Sequence, residues 1–436
     1  MSKASTQTVS KEDRIKLSSE WHARPNISLP HPFRCTHIVG LRDSGSDAEA
    51  WEAISEFCEL HGQSGPAAGS RYHVVETGSC LLKWECHTEA TSHTLLVPGS
   101  AQPPFSETAL DFLDEAKRED LLANMFVGVH VEVLPAPSND DPSGYEMACA
   151  LLGARPVYGG EMSDKNAVVW SAFRLDAAGF IRLVIIDRGI SGHRLSRLLQ
   201  RLLDMETYRM LAIRALPAAR SVMSTVQELE PQIGALMKEM AERGTIESRE
   251  HALDGITEIA SRIEEIATSH SSSFSAARAY SRMVERRIEE VGETVVDGQQ
   301  RYTNFLLRAL SPAMRTCEAA ERRVSELAER VARSANLLST MVNLQQSRSS
   351  QGVLKSMADS SQRQLLLQQA VEGFSIFAIS YYAVGLLKYF LDSLYASGLG
   401  VDSKLLVGWS APLVFGLVFI SVRMVRRRLT AQREEK

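Results

Sequence analysis

Two stretches near the C-terminus constrain this chain more than anything else in it. From Gly373 to Leu391 it reads GFSIFAISYYAVGLLKYFL, with Lys388 as the only charge, and from Leu405 to Val422 it reads LLVGWSAPLVFGLVFISV, with none. At a helical rise of 1.5 Å per residue the first stretch spans about 28 Å, close to the thickness of a bilayer's hydrocarbon core. Lys388 stands near the far end, where its amine can snorkel to the interface, and Pro412 inside the second stretch is tolerated in membrane helices. Two such segments in tandem, bounded by charge, read as a transmembrane hairpin rather than a pair of buried core helices.

The flanks set an orientation. Arg423, Arg426, Arg427, Arg428 and Arg433 follow the second segment, and Arg348, Lys355 and Arg363 precede the first. The connection between them carries only Asp392, Asp402 and Lys404. The positive-inside rule then places both termini in the cytoplasm and the short loop outside. The N-terminus is polar, through Ser2, Lys3, Ser5, Thr6 and Gln7, with no apolar core of a signal peptide, so the portion before residue 370 is expected to remain cytoplasmic.

A chain of 436 residues predicts two or three folding units. A net charge of −5 argues against nucleic acid as a partner. The six cysteines, Cys35, Cys58, Cys80, Cys86, Cys149 and Cys317, form no CxxC pair and read as reduced thiols rather than a disulfide framework.

Patterning divides the remainder. Residues 1–29 form a tail, residues 30–190 an α+β cytoplasmic domain, residues 191–370 a helical stalk or coiled-coil region, residues 371–424 the hairpin and residues 425–436 a basic tail. Strands are expected at Arg34–Leu41, Tyr72–Glu76, Cys80–His87, His93–Val97, Phe126–Leu134, Ala167–Arg174 and Phe180–Ile186, with helices at Asp47–His61 and Asp141–Leu152. Neighbouring strands joined by turns such as Thr77-Gly78 favour a mainly antiparallel sheet. In the helical region the stripes Leu253, Ile256, Ala260, Ile263, Ala267 and Phe274, Ala277, Val284, Ile288, Val291, Val295 recur at helical spacing. Val324, Leu327, Val331, Ser334, Leu338 and Met341 alternate three and four as a coiled-coil seam does, which fits an intramolecular bundle or a homo-oligomer joined through the stalk. Pro312, after the N-cap candidate Ser311, is expected to open a helix that either continues toward the membrane for roughly 80 residues, about 120 Å, or is broken by a hinge in the polar stretch Gln345 to Gln364.

Chemistry is sparse. Nine of the eleven histidines precede residue 200, but no spacing names a metal site, and no P-loop, GxGxxG or GxSxG stands in the chain; no cofactor is evident. Two constellations are candidates. Arg188, Gly189, Ser191, Gly192 and Arg194 join a strand to a helix as an anion cradle would, although a plain capping turn reads the same residues more simply. Glu20, His22, Arg24 and Pro25, in Glu20-Trp21-His22-Ala23-Arg24-Pro25, bring an acid, an imidazole and a guanidinium together, fit to bind an anion, to shuttle protons or to serve as a docking strand anchored by Trp21.

That hexapeptide, together with Lys83-Trp84-Glu85-Cys86-His87-Thr88-Glu89, Leu203-Asp204-Met205-Glu206-Thr207-Tyr208-Arg209-Met210 and Ile379-Ser380-Tyr381-Tyr382-Ala383-Val384-Gly385-Leu386, resembles an uncharacterised family of bacterial membrane-anchored proteins over essentially the whole chain. The resemblance implies a bacterial inner-membrane anchor with the lipid bilayer as partner, and brings no catalytic residues. In layout alone the chain is similar to the CorA-type magnesium channels. That likeness would make Ser380, Tyr381, Tyr382 and Gly385 pore-facing and a divalent cation a partner. The Gly-Met-Asn signature of those channels is absent, and Lys388 would set a positive ring near the outer mouth. The favoured reading is therefore a membrane-anchored oligomer presenting a cytoplasmic sensing or interaction domain. A divergent ion channel and a membrane-tethered enzyme are the alternatives.

Overall fold

The computed structural model describes residues 14, 31–42, 47–67, 70–78, 80–137, 141, 143–396 and 403–431. They divide into two compact units, the first reaching Ala335 and the second starting at Asn336.

The first unit is built on one eight-stranded sheet. In chain order it comprises β1 (Phe33–Leu41), α1 (Asp47–Leu60), β2 (Tyr72–Thr77), β3 (Cys80–Cys86), β4 (Ala90–Pro98), a 3-10 turn (Ala109–Phe112), α2 (Glu115–Ala123), β5 (Met125–Pro135), α3 (Tyr145–Leu152), β6 (Tyr158–Met162), β7 (Ala167–Leu175) and β8 (Ile181–Asp187). The strand order is β2-β3-β4-β1-β5-β8-β7-β6. All pairs are antiparallel except β5 with β8, so the domain is α/β with a mixed, mostly antiparallel sheet. Each half of the sheet comes from contiguous chain with the same element order, strand-helix-strand-strand-strand, and the two meet where β1 lies against β5.

Strand alternation sorts side chains onto two buried faces. On one face Ile38, Val75, Leu82, Trp84, Leu95 and Val97 pack with Ile54, Phe57 and Cys58 of α1 and Leu121 of α2. A second cluster on that face joins Val168, Trp170, Val184 and Ile186 to Ala148 and Cys149 of α3. The opposite face is covered by α4 (Gly192–Ile213), whose Leu195, Leu198, Leu199, Leu202 and Leu203 are buried at helical spacing.

Three more helices follow: α5 (Leu216–Arg243), α6 (Ile246–Val291) and α7 (Tyr302–Ala396). Their structure corrects several expectations. In α6 the predicted Ile256, Ile263, Phe274, Ala277, Val284 and Val291 are buried, but Ala252 and Ile259 take the places expected of Leu253 and Ala260, and Val295 lies beyond the helix, which ends at Gly292 in the left-handed conformation (φ 58°). Pro312 does not open a helix but lies inside α7. The start at Tyr302 is fixed instead by Glu293, whose carboxylate accepts from the amides of Tyr302 and Thr303 at 2.7 and 2.9 Å and so satisfies donors that a helix leaves free. Val324, Leu327, Val331 and Ser334 are buried inside the chain's own helical layer, with Arg323 paired to Glu230 of α5 at 4.0 Å.

The strand β6 has no signature in the sequence pattern. Tyr158-Gly159-Gly160-Glu161-Met162 looks like a turn, yet a Cβ on Gly159 would stand 1.9 Å from the Val169 carbonyl oxygen, and one on Gly160 2.6 Å from that of Thr294. The glycines are there to let backbones approach. Glu161 and Thr294 exchange backbone hydrogen bonds of 3.0 and 2.8 Å, so the connection between α6 and α7 docks on the sheet's edge.

In the second unit, α7 continues to Ala396 and α8 spans Ser403–Ala431. Among the described residues these are the two helices long and apolar enough to cross a membrane. Their rings meet at Phe377 and Phe415, 5.4 Å apart.

Candidate functional site

Two places in the first unit gather polar chemistry. The first lies between the sheet and its helical cover. On β3, the Lys83 amine reaches Glu85 on the same strand at 2.8 Å and Gln200 of α4 at 2.5 Å. Gln200 donates to Asp204 at 2.7 Å, and Asp204 accepts from Arg287 of α6 at 2.8 Å. Arg287 continues to Glu290 at 2.6 Å, which also holds Arg201 of α4 at 3.2 Å. Burial lifts the Asp204 carboxyl above its ordinary range, against the pull of Arg287. Two residues on, Glu206 is fully buried; its carboxylate accepts from the Tyr302 hydroxyl at 2.5 Å and from Arg209 at 2.6 Å. Burial and the adjacent Glu206 push the Tyr302 phenol well above its usual value. His37, in the centre of β1, bridges Thr94 of β4 at 2.8 Å and Thr207 of α4 at 3.1 Å. Its burial, with Lys83 nearby, lowers its pKa to about 3, so the ring is neutral and offers one donor and one acceptor. Its contacts cross from β3 and β1 to α4 and from α4 to α6 and α7, which fixes α4, α6 and the start of α7 against the sheet.

The second place is a cavity of about 550 Å³ on the other face, between α1 and α2. Its floor is Ile38 of β1, Trp84 of β3 and Thr91 and His93 of β4; Leu121, Lys117 and Asp120 of α2 form one wall. Thr91 and His93 share a face because they are two apart on one strand. Thr91 is buried and its hydroxyl has no hydrogen-bond partner. Burial and Lys117 hold His93 down to about 3 despite Asp120.

The sequence matches the family described as "Protein of unknown function (DUF3422)" over residues 10–429, nearly the whole chain. The chain belongs to this family. No curated protein matches it.

Within this DUF3422 protein, two blocks that carried the resemblance converge. Lys83 and Glu85 come from one, and Asp204, Glu206, Thr207 and Arg209 from the other; all six are members of the network or touch its members. Tyr280 of α6 is pushed up to about 12 by burial and by Glu89, which ends the first block. Spacing could not have shown that these residues meet, because His37 and Thr207 are 170 positions apart.

The other candidates fall elsewhere. Arg188 reaches Glu161 at 2.7 Å and Arg194 reaches Asp164 at 3.0 Å. The amides of Gly189 (φ 101°) and Ile190 donate to the Asp187 carboxylate at 2.8 and 2.9 Å, so an anion of the chain itself meets the donors of this turn. Ser191 precedes Gly192 as the N-cap residue of α4 without a side-chain hydrogen bond. Glu20, His22, Arg24 and Pro25 lie outside the described residues. Ser380 is buried with its hydroxyl unpartnered, Tyr381 and Tyr382 are exposed, and Gly385 is half-buried on α7. Among the described residues, no three His, Cys, Asp or Glu side chains converge to hold a metal ion.

Proposed function

We propose that this chain is anchored in a bacterial inner membrane by its two apolar helices, which form a hairpin with both ends in the cytoplasm. It presents the α/β domain there as a sensing or interaction module, and copies associate through the long helix. The observation that carries the reading is the apolar surface left uncovered on both helices. Phe374, Tyr381, Leu386 and Trp409 are 76%, 77%, 72% and 81% exposed. Soluble monomers do not keep so continuous an apolar surface in water, whereas a lipid bilayer covers it with acyl chains. The arginines after Val422 and the weakly charged connection support the orientation. A link between module and anchor lies in the chain itself: α7 begins at Tyr302, whose hydroxyl donates to Glu206, and the same helix contains Gly373–Leu391.

Alkaline carbonate washing of membranes from cells expressing the full chain is the test. The protein is expected to stay in the membrane pellet and to leave only with detergent. Release into the wash would remove the anchor from the reading.

A further inference from the structure

The stretch Gly373–Leu391 carries a feature that an anchor alone does not need. Tyr382 is its central residue, nine positions from either end, and Tyr381 stands beside it. At 1.5 Å per residue both tyrosines lie about 12 Å or more from either end of the stretch, too deep for a phenol to lift its hydroxyl to the interface. Tyrosines that serve an anchor sit at the interfaces, with the ring in an apolar layer and the hydroxyl wet. Tyr389, two residues from the end and next to Lys388, is of that kind.

The rings of Tyr381 and Tyr382 meet edge to face at 5.9 Å, and both are exposed. Among the described residues neither hydroxyl has a hydrogen-bond partner. A hydroxyl in hydrocarbon keeps its desolvation cost until a partner reaches it. At about 100° per residue the two tyrosines straddle the side of α7 opposite Ser380, which is buried. Ala378 and Gly385 fall between them, a turn before and a turn after. Ala378 is exposed, and a Cβ on Gly385 would meet nothing within 4 Å, so the chain's own packing leaves room beside the phenols.

Depth and chemistry indicate what fills that room. Acyl chains have no donor or acceptor to offer there. Copies of this chain inserted the same way bring residues 381 and 382 to one level, and a phenol both donates and accepts, so these hydroxyls can pair with one another across copies. A carboxylate or an ammonium could not pair with its own counterpart. The face is thus self-complementary, as contact between identical chains requires.

We propose that the face of α7 bearing Tyr381, Tyr382, Ala378 and Gly385 is where copies of this chain meet inside the bilayer, with the phenol hydroxyls hydrogen-bonded from one copy to the next. This contact presupposes the anchor proposed above and narrows the association to one side of one helix.

Ala378→Cys in the full chain reports the contact. Membranes are washed with alkaline carbonate, the pellet is oxidised with copper phenanthroline, and remaining thiols are blocked before denaturation. The variant should run as a disulfide-linked dimer on a non-reducing gel. Ser380→Cys, on the buried side of the helix, should stay monomeric. Adding Tyr381→Phe and Tyr382→Phe to Ala378→Cys removes only the hydroxyls and should lower the cross-linked fraction at least threefold. Gly385→Leu, which has room within its own chain, should lower it comparably. No cross-link in protein retained by the pellet, an equal cross-link from Ser380→Cys, or a cross-link undiminished by the two phenylalanines would each overturn the proposal and leave the anchor standing. Loss of the protein into the wash would remove the anchor and this contact with it.

Discussion

Single side chains in this protein are used in states that water would not choose. His37 is 4% exposed and His130 6%, and burial lowers their pKa values to about 3 and about 4. His130 accepts or donates to Thr36 at 2.8 Å and stacks on Phe180 at 4.0 Å, so it too works as a neutral ring. Below pH 6.5 the unfolded chain takes up protons that the folded chain refuses, so stability falls as the pH drops from 6.5 toward the folded values. The slope is about 1.4 kcal/mol per pH unit for each ring. By about pH 5 the two together should have cost about 4 kcal/mol, read as a falling melting temperature. His130→Gln should make that fall shallower, and an unchanged slope would refute the role given to this ring. The cysteines make a parallel case. All six are buried, and burial pushes the Cys80 thiol up to about 11, so native protein should not react with an aqueous disulfide reagent until it is unfolded.

Between elements, the junction of α4 with α7 is where a small change should cost most. Tyr302→Phe removes one charge-assisted hydrogen bond from Glu206 and leaves Arg209 in place, a loss of about 1.5–3 kcal/mol. Glu206→Ala strands a buried guanidinium and should cost about 3–5 kcal/mol in chemical denaturation, roughly twice as much. At the sheet's edge, Gly159→Ala puts a methyl into the Val169 carbonyl and should cost about 3 kcal/mol, while Gly189→Ala, with nothing near its Cβ, meets only the penalty of its positive φ. These elements also show what can be read in advance. Seven of the eight strands are legible because alternating β-branched and aromatic residues follow a period of two, and β1 and β4 even carry their polar residues openly. The eighth, β6, is hidden because its glycines answer to Val169 and Thr294, which are distant in the chain. For the same reason local signals misplace a helix start at Pro312: Ser311 and Pro312 make a good opening, but Glu293, nine residues before Tyr302, supplies a better cap. The network is half legible, since its blocks stand out as residues, but no single-sequence pattern says that strand β3 meets helix α4.

For the molecule as a whole, the proposed topology predicts labelling. Ser397→Cys, in the connection between α7 and α8, should react with a membrane-impermeant maleimide added outside intact spheroplasts, against a background silent because the native thiols are buried; labelling only after lysis would reverse the orientation. Light scattering of the solubilised protein, corrected for detergent, should give a multiple of the 48.2 kDa chain mass, and a monomer would end the proposed association. The two-part sheet bears on how such a chain comes into being. Strands β1 to β4 occupy residues 33–98 and can pair among themselves before β5 exists, and β5 to β8 can do so from residues 125–187. Half-sheets with mostly nearby partners assemble early during synthesis, and contacts of long separation form last. Until β5 arrives, β1 is an open edge with Cys35, His37 and Val39 awaiting a cover that α4 supplies only after residue 192. A ribosome that pauses between those points holds out a nascent chain whose central strand is free to pair with a neighbour's, and the interval from β4 to α4 is where this protein most needs a chaperone.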